Sequence, residues 1–307
     1  MGTRRAPSAH RVSPRLIGLL ALGVVSVAFS SILIRIAEAP ALSVAFYRNA
    51  AAAAVLLPIA LARHGEELRT LTRREWATAL LAGTMLAAHF ALWIPSLSYT
   101  TVAASTVLVT TQPAWVALIG RALGERVRGR AVLGIGLALG GAVLVSGGDF
   151  GISARAAYGD LLALGGAVAA AGYFLAGRRL RRRISLTTYT GLAYSTTAVI
   201  LAGAVAVSGT PFAGFEPRVW GLFLLMALGP QIGGHTVFNY LLGHLEAGTV
   251  AVAVTGEPVM ASLLALAFFG EIPSWAAVAG GGLILAGIAI TISAEARGRA
   301  AELAPVE

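Results

Sequence analysis

The sequence contains no cysteine and no lysine, and only 12% of its 307 residues are charged. The absence of cysteine excludes disulfide bonds and thiolate metal sites. The absence of lysine means that the formal net charge of +9 comes entirely from arginine. With 57% hydrophobic residues and a mean hydropathy of +0.79, the chain has too little polar surface to cover a soluble globule. The composition therefore indicates a membrane protein.

Catalytic signatures are also missing from the sequence. It has no G-x-S-x-G elbow, no H-E-x-x-H and no phosphate-binding G-x-x-x-x-G-K. No acid or cysteine accompanies the histidines at ligand spacing, so we predict no metal site and no cofactor. No loop is long enough to form the soluble nucleotide domain of an ATP-driven pump. We therefore expect a protein that is not an enzyme.

Apolar windows follow one another along the whole chain. Each is about 20 residues long, which is the length that crosses a bilayer as a helix. The windows are apolar on every face, unlike the alternating segments of an outer-membrane barrel. No small-residue cleavage site follows the first window, so we expect a retained helix there and not a removed signal peptide. The fold class is predicted to be an all-α polytopic membrane protein with ten transmembrane helices near residues 16–36, 42–62, 76–97, 101–122, 131–148, 158–177, 187–208, 218–243, 247–269 and 274–293.

Arginine is distributed unevenly between the two sets of alternating loops. One set, with the terminal tails, contains 19 arginines, whereas the other contains only Arg155 and Arg218. Cytoplasmic loops are rich in basic residues, so we expect a multi-pass protein of the plasma or inner membrane. Both tails, residues 1–15 and 294–307, should be cytoplasmic. This distribution explains the basic charge without nucleic acid as a partner. The run Arg178 to Arg183 is expected to fix orientation and to contact anionic lipid headgroups.

A pair of motifs occurs twice in the sequence. Thr110-Thr111-Gln112-Pro113 precedes Leu123-Gly124-Glu125, and Thr255-Gly256-Glu257-Pro258 precedes Phe269-Gly270-Glu271, at a spacing of 145 to 146 residues. The chain is thus predicted to contain two related five-helix repeats, residues 16–148 and 158–293. An odd number of helices inverts the second repeat relative to the first. Inverted repeats are common in secondary transporters, which bind substrate at the repeat interface.

Small residues are dense in the fourth, fifth, ninth and tenth predicted helices. Gly136 with Gly140, and Gly282 with Ala286, lie four residues apart. This spacing lets helix backbones approach each other closely in lipid. We therefore expect these four residues to be helix-packing positions.

Gln112 and Glu257 occupy equivalent positions near the middle of their predicted helices, each directly before a proline. Proline has no amide proton to donate to the carbonyl four residues earlier, so the carbonyls of Val109 and Val254 are left without this hydrogen bond. These carbonyls, one amide and one carboxylate could together bind a cation, an ammonium group or a proton. In the alternative interpretation, each polar side chain forms hydrogen bonds only with backbone groups of its own kinked helix.

His89 and Trp93 lie 146 residues before His235 and Asn239. Within each helix the two positions are four residues apart and share one face. The repeated face indicates a cavity that presents an imidazole and a second polar side chain from each half. The alternative is that each histidine bonds to a neighbouring carbonyl.

Arg48 and Gln231 complete the candidate site. A buried arginine is costly in lipid and usually faces a cavity or a partner, although Arg48 could instead extend to the outer interface. Gln231 follows Pro230 in a glycine-rich segment, residues 229–234. That segment could be a broken helix that offers backbone groups to a ligand. It could equally be a plain kink in which Gln231 bonds the freed carbonyls. The candidate substrate-binding residues are Arg48, His89, Trp93, Gln112, Gln231, His235, Asn239 and Glu257.

These motifs, in this order, resemble the EamA-type permeases of the drug/metabolite transporter superfamily. The resemblance covers nearly the whole chain and is carried by Ala39-Pro40 through Arg48, Leu97–Thr100, Gln112-Pro113, Leu123-Gly124-Glu125, Phe238–Tyr240, Glu257-Pro258 and Phe269-Gly270-Glu271. It implies a basket-shaped carrier of ten helices with a central cavity and cytoplasmic termini. Members move small metabolites, often exporting amino acids, and many are thought to use proton or metabolite exchange. The family has no invariant binding signature, so the resemblance implies no particular ligand.

The leading hypothesis is a secondary transporter that exports small metabolites, such as amino acids or related amphipathic compounds, by alternating access. Its partners would be a small-molecule substrate and the membrane lipids, and proton coupling and exchange are both open. A homodimer is also open. The alternative is a lipid-handling or scaffold membrane protein without a central solute pathway.

Overall fold

The computed structural model describes residues 12–100, 105, 108–125, 127, 129–145, 153–270, 272 and 275–302. These residues form helices and connecting turns, without a strand among them. The helices are α1 (Pro14–Ala37), α2 (Ala41–Thr70), α3 (Arg73–Ser96), α4 (Gln112–Ala122), α5 (Gly129–Val145), α6 (Ala154–Arg181), α7 (Leu186–Ser208), α8 (Pro217–Met226), a π-helix (Ala227–Thr236), α9 (Val237–Leu242), α10 (Ala247–Val254), α11 (Glu257–Phe269) and α12 (Trp275–Glu302).

Seven helical segments of the described chain are long and apolar enough to cross a membrane. They are Pro14–Ala37, Ala41–Thr70, Arg73–Ser96, Ala154–Arg181, Leu186–Ser208, Pro217–Leu242 and Ala247–Phe268. Two shorter apolar helices cover Gly129–Leu144 and Val278–Ala294. The predicted all-helical, multi-pass class is therefore confirmed. The count of ten stays a prediction, because part of the segment predicted at 101–122 lies outside the described residues.

The second helix is longer than the sequence predicts. It continues past residue 62 to Thr70, with a kink at His64, whose φ and ψ are −131° and 29°. In this extension the Glu67 carboxylate accepts hydrogen bonds from the Ser185 amide (2.6 Å) and the Thr188 hydroxyl (2.7 Å). The Glu67 side chain of this extension thus contacts the start of α7, and hydropathy does not report such a contact.

Two helices begin in the middle of an apolar segment. Gln112 and Glu257 are the first residues of α4 and α11, and each follows a two-residue turn. Pro113 and Pro258 occupy the second position, where the missing amide proton costs nothing because the first amides of a helix have no partner in it. Each proline thus starts a half-helix and brings its polar neighbour to a helix N-terminus. The second repeated loop glutamate, Glu271, lies outside the described residues.

Helices α5 and α12 pack closely through glycine, but not through the predicted positions. A Cβ atom on Gly287 would lie 2.5 Å from the Gly134 carbonyl oxygen, and one on Gly141 would lie 2.5 Å from the Gly280 carbonyl oxygen. The prediction for Gly136, Gly140 and Gly282 was wrong, because no atom lies within 4 Å of a Cβ built on any of the three. Ala286 is exposed as well. The contacting glycines are seven residues apart, which is two helical turns along one face.

The remaining helices surround a central space. Helix α2 packs along α7, α3 packs against α6 and α7, and α1 packs against the π-helix and α11. At one end the Ser43 hydroxyl donates to the Pro211 carbonyl (3.0 Å), and at the other end Glu67 contacts Ser185. Helices α2 and α7 are therefore antiparallel. The candidate residues lie on the inner faces of these helices.

Candidate functional site

A single cavity collects most of the predicted residues. It contains about 580 Å³ of empty space, including its open side. Six of the eight candidates line it, namely Arg48, His89, Trp93, Gln112, His235 and Glu257. Its other lining residues are Val27, Ser30, Leu86, Val109, Thr110, Ala170, Tyr173, Phe174, Phe238 and Val254. The lining is mostly apolar and aromatic with a few polar groups, as is typical of small-molecule sites.

Arg48 is 1% exposed and does not extend to the membrane surface. Its Nε donates to Gln231 Oε1 at 2.9 Å, and its Nη1 donates to Ser30 Oγ at 2.8 Å. The guanidinium carbon lies 4.5 Å from the centre of the Phe90 ring, which supports the charge through a cation–π contact. Neutral groups thus hold the cation in place without neutralising it.

Gln231 lies behind Arg48 and does not line the cavity. It is fully buried, and its Nε2 donates to Asn49 Oδ1 at 3.1 Å. The segment around it is a continuous π-helix, neither a broken helix nor a kink in which Gln231 bonds freed carbonyls. The wider turn of a π-helix often occurs at functional sites. Here it accompanies a side chain that orients Arg48.

Glu257 supplies a carboxylate to the same cavity. Its side chain is half-buried, and no hydrogen bond or ion pair engages it in the described part of the chain. No ion pair joins Glu257 to Arg48. The guanidinium and the carboxylate attract each other through the cavity, but no direct contact between them occupies either group, so both are available to a ligand.

Three lining residues have buried polar atoms without a partner among the described residues. They are Trp93 Nε1, Gln112 Nε2 and His235 Nδ1. An unpaired buried polar group costs about 1–3 kcal/mol, so nearly all such groups in proteins have partners. The indole and the amide nitrogens can only donate. A bound ligand with acceptor oxygens would satisfy them.

His89 is held in one tautomer. Its Nδ1 lies 3.0 Å from the Gly166 carbonyl oxygen, which can only accept, so Nδ1 carries the proton. A neutral ring then offers Nε2 as an acceptor. The ring also stacks on Trp93 at 5.7 Å and 14° between planes. The carbonyl-bonded alternative is thus realised for His89, although the residue also lines the cavity.

Asn239 is buried behind the cavity wall. Its Nδ2 donates to the Tyr173 hydroxyl at 2.5 Å and lies 3.3 Å from the Tyr194 hydroxyl. Tyr173 lines the cavity, so Asn239 positions a lining residue. Tyr173 was not predictable from polar pairs repeated at 146 residues. The residue 146 positions before Tyr173 is the apolar Val27.

The role of Gln231 predicts the effect of a substitution. Gln231→Met removes the acceptor for Arg48 Nε and is expected to destabilise the protein by about 2 kcal/mol, because a buried charged donor loses its partner. Gln231→Glu keeps an acceptor at this position and should retain more stability. Thermal unfolding in detergent measures both variants. Equal stability of Gln231→Met and the parent would contradict the assigned contact.

The described helices form a multi-pass membrane fold around a mostly apolar cavity that holds a few polar groups, and sequence comparison identifies its family. The model of the EamA-like transporter family matches residues 15–147 and again residues 157–293. The chain belongs to this family. It is similar to an uncharacterized transporter of Archaeoglobus fulgidus, with 27% identity over 281 residues that cover 89% of this chain and 96% of the relative.

The fold also matches a solved crystal structure. The TM-score is 0.76 at 21% sequence identity, over 92% of this chain and 98% of the other. At this identity the match supports the fold alone. The family and the named relative identify a membrane transporter rather than an enzyme.

Proposed function

We propose that this protein is a secondary transporter that exports small zwitterionic metabolites, such as amino acids, by alternating access. The observation that carries the proposal is the shared cavity of Arg48 and Glu257, in which a cation and an anion face one space without forming an ion pair. A zwitterion brings one charge of each sign and can satisfy both groups. A charged partner on each side also compensates the cost of removing the ligand from water.

The lining suggests how such a ligand is oriented. Its ammonium group would donate to the Glu257 carboxylate. Its carboxylate would accept from the unpaired nitrogens of Trp93 and Gln112 and would lie near Arg48. The aromatic side chains of Phe174 and Phe238 leave an apolar wall for the remainder of the ligand. This arrangement favours amphipathic amino acids over strongly polar solutes.

Packing between α5 and α12 supports two inverted repeats of five helices, residues 16–148 and 158–293. Gly134 and Gly280 are equivalent in the repeat, as are Gly141 and Gly287. The contact of Gly134 with Gly287 therefore becomes the contact of Gly280 with Gly141 when the halves are exchanged. Such reciprocity is the property of a two-fold axis. The two helices run antiparallel, which fits an axis in the membrane plane and ten transmembrane helices.

Contacts between loops support the orientation. Glu67 bonds Ser185, and Arg183 lies 3.8 Å from Glu75, so two arginine-containing connections share one face of the protein. We call it the arginine-rich face and define it by residues 63–75 and 178–185. We assign this face to the cytoplasm of a plasma or inner membrane. Transport would then proceed by exchange or by proton coupling, with Glu257 as the group that binds either the ammonium or a proton.

Exchange across proteoliposomes tests the proposal. Vesicles loaded with one unlabelled amino acid at a time, from the twenty protein amino acids, receive the same radiolabelled compound outside. We expect accelerated uptake for at least one apolar or aromatic member, because a loaded carrier returns faster than an empty one. Uptake equal to that of protein-free vesicles for all twenty would contradict the proposal. Movement of fluorescent lipid between leaflets without solute exchange would favour the lipid-handling alternative.

A further inference from the structure

One arginine of the basic run at the end of α6 differs from its neighbours. Arg179, Arg182 and Arg183 are exposed, whereas Arg178 is 7% exposed. Arg178 forms an ion pair with Glu246, and its Nη1 donates to the Leu245 carbonyl oxygen at 3.1 Å. A residue that served only to fix orientation would need no buried partner. Arg178 therefore has a structural role that the basic run as a whole does not share.

Arg178 lies directly beneath the cavity. Phe174 lines the cavity, and Arg178 follows it by four residues, or about 6 Å along the helix axis. In the intervening turn, a Cβ on Gly177 would meet the Tyr189 hydroxyl at 2.7 Å and a Leu242 methyl carbon at 3.0 Å. Tyr189 and Leu242 are both buried. Tyr189 and Leu242 thus pack against the turn of α6 that lies between Phe174 and Arg178.

A second arginine joins α6 to α9. Arg181 Nε donates to the Asn239 carbonyl oxygen at 3.1 Å. The end of α6 is therefore attached to α9 and to the connection between α9 and α10 at two places. The Asn239 carbonyl lies in the last turn of α9, where carbonyls have no partners within the helix, so it is a natural acceptor for the Arg181 guanidinium.

We propose that Arg178, Arg181 and Glu246 form a latch that closes the cavity at the arginine-rich face and must be released once in each transport cycle. Phe174 of α6 and Phe238 of α9 line the cavity on the two sides of this contact, with ring centroids 6.4 Å apart. A path from the cavity to this face therefore requires α6 to separate from α9. The latch rests on the proposed alternating-access function.

The side chains of Arg178 and Glu246 differ in solvent exposure, and this difference is consistent with a contact that opens and closes. The Glu246 side chain is 50% exposed, whereas the Arg178 side chain is 9% exposed. The Glu246 carboxylate is therefore in contact with water while the ion pair is formed. Arg178 gains water when α6 moves away, so its charge is solvated in the open state. The contact thus stabilises the closed state without making it permanent.

The absence of cysteine allows a direct accessibility test that needs no substrate. Ala170, a small cavity-lining residue, is replaced by cysteine, and the negatively charged thiol reagent 2-sulfonatoethyl methanethiosulfonate is added to right-side-out or inside-out vesicles. A separate Arg182→Cys chain identifies the preparation that exposes the arginine-rich face. In that preparation we expect slow labelling of Ala170→Cys. The additional substitution Arg178→Ala should accelerate labelling at least about tenfold, which corresponds to about 1.4 kcal/mol.

Matched variants separate the latch from a general effect of charge or folding. Arg179→Ala removes an exposed arginine of the same run and should change the rate less than twofold. Glu246→Gln should accelerate labelling as Arg178→Ala does, and combining the two should add little, because both remove one contact. Equal rates for Arg178→Ala and Arg179→Ala would overturn the latch. Fast labelling of Ala170→Cys from the arginine-rich face, with the latch residues unchanged, would also overturn the latch. This outcome does not depend on whether exchange of amino acids is observed.

Discussion

Glu257→Gln is expected to lower the rate of amino-acid exchange by at least about 30-fold at subsaturating substrate. The substitution keeps the size of the side chain and removes the carboxylate that would receive the ammonium group. A hydrogen bond to a charged group contributes about 2 kcal/mol, which corresponds to about 30-fold in affinity. Within the described part of the chain, no other acidic residue lines the cavity to replace it. Initial exchange rates in proteoliposomes over a range of substrate concentrations measure the effect.

The control for this substitution is Glu66→Gln, which removes an exposed carboxylate from the extension of α2. It should leave the exchange rate unchanged. Thermal unfolding should give similar midpoints for both variants, so that loss of exchange by Glu257→Gln is not loss of folding. Unchanged exchange by folded Glu257→Gln would show that the substrate site is assigned wrongly.

Gly287→Leu is expected to cause the largest loss of stability. A Cβ on Gly287 would lie 2.5 Å from the Gly134 carbonyl oxygen and 2.7 Å from the Ala138 amide nitrogen. Both are backbone atoms and cannot rotate away, so α5 and α12 must separate. We expect a cost of about 3 kcal/mol or more, at the upper end for overpacked positions. The monodisperse fraction after detergent extraction and the unfolding midpoint measure it.

Gly282→Leu is the matched control on the same helix. No atom lies within 4 Å of a Cβ on Gly282, and the position is exposed. It should therefore accept a leucine that faces lipid with little change in the unfolding midpoint. Similar destabilisation by both variants would mean that α5 and α12 do not pack as the structure describes.

Helix locations followed from the sequence because they depend on local composition. The sequence predicted one helix over residues 247–269 with Glu257 near its middle, whereas the structure ends α10 at Val254 and begins α11 at Glu257, because proline fits the first turn of a helix. The extension of α2 beyond residue 62 was not predictable from local composition, because Glu67 contacts Ser185, which is more than a hundred residues away in the sequence. The glycines that pack α5 against α12 were also predicted wrongly, because their contacts join residues far apart in the sequence. Spacing defines a small-residue face but does not say which face meets another helix.

Six cavity residues were predictable because they occur as polar residues inside apolar helices, most of them at equivalent places in both halves. Gln231 and Asn239 met the same criterion, yet both lie behind the lining and orient Arg48 and Tyr173. Depth in the membrane cannot separate a lining side chain from one that supports it. The role of Arg178 was also hidden, because its sequence neighbours are exposed arginines.

Photoaffinity labelling tests the central claim most directly, namely that the cavity binds the transported solute. Reconstituted protein is irradiated with L-photo-leucine, a zwitterionic amino acid whose side chain carries a diazirine, and the adducts are located by mass spectrometry. We predict adducts on cavity-lining residues such as Tyr173, Phe238 and Glu257, which unlabelled amino acid in excess removes. Competed adducts confined to lipid-facing residues such as Leu161 and Val199, or no competed adducts at all, would contradict it.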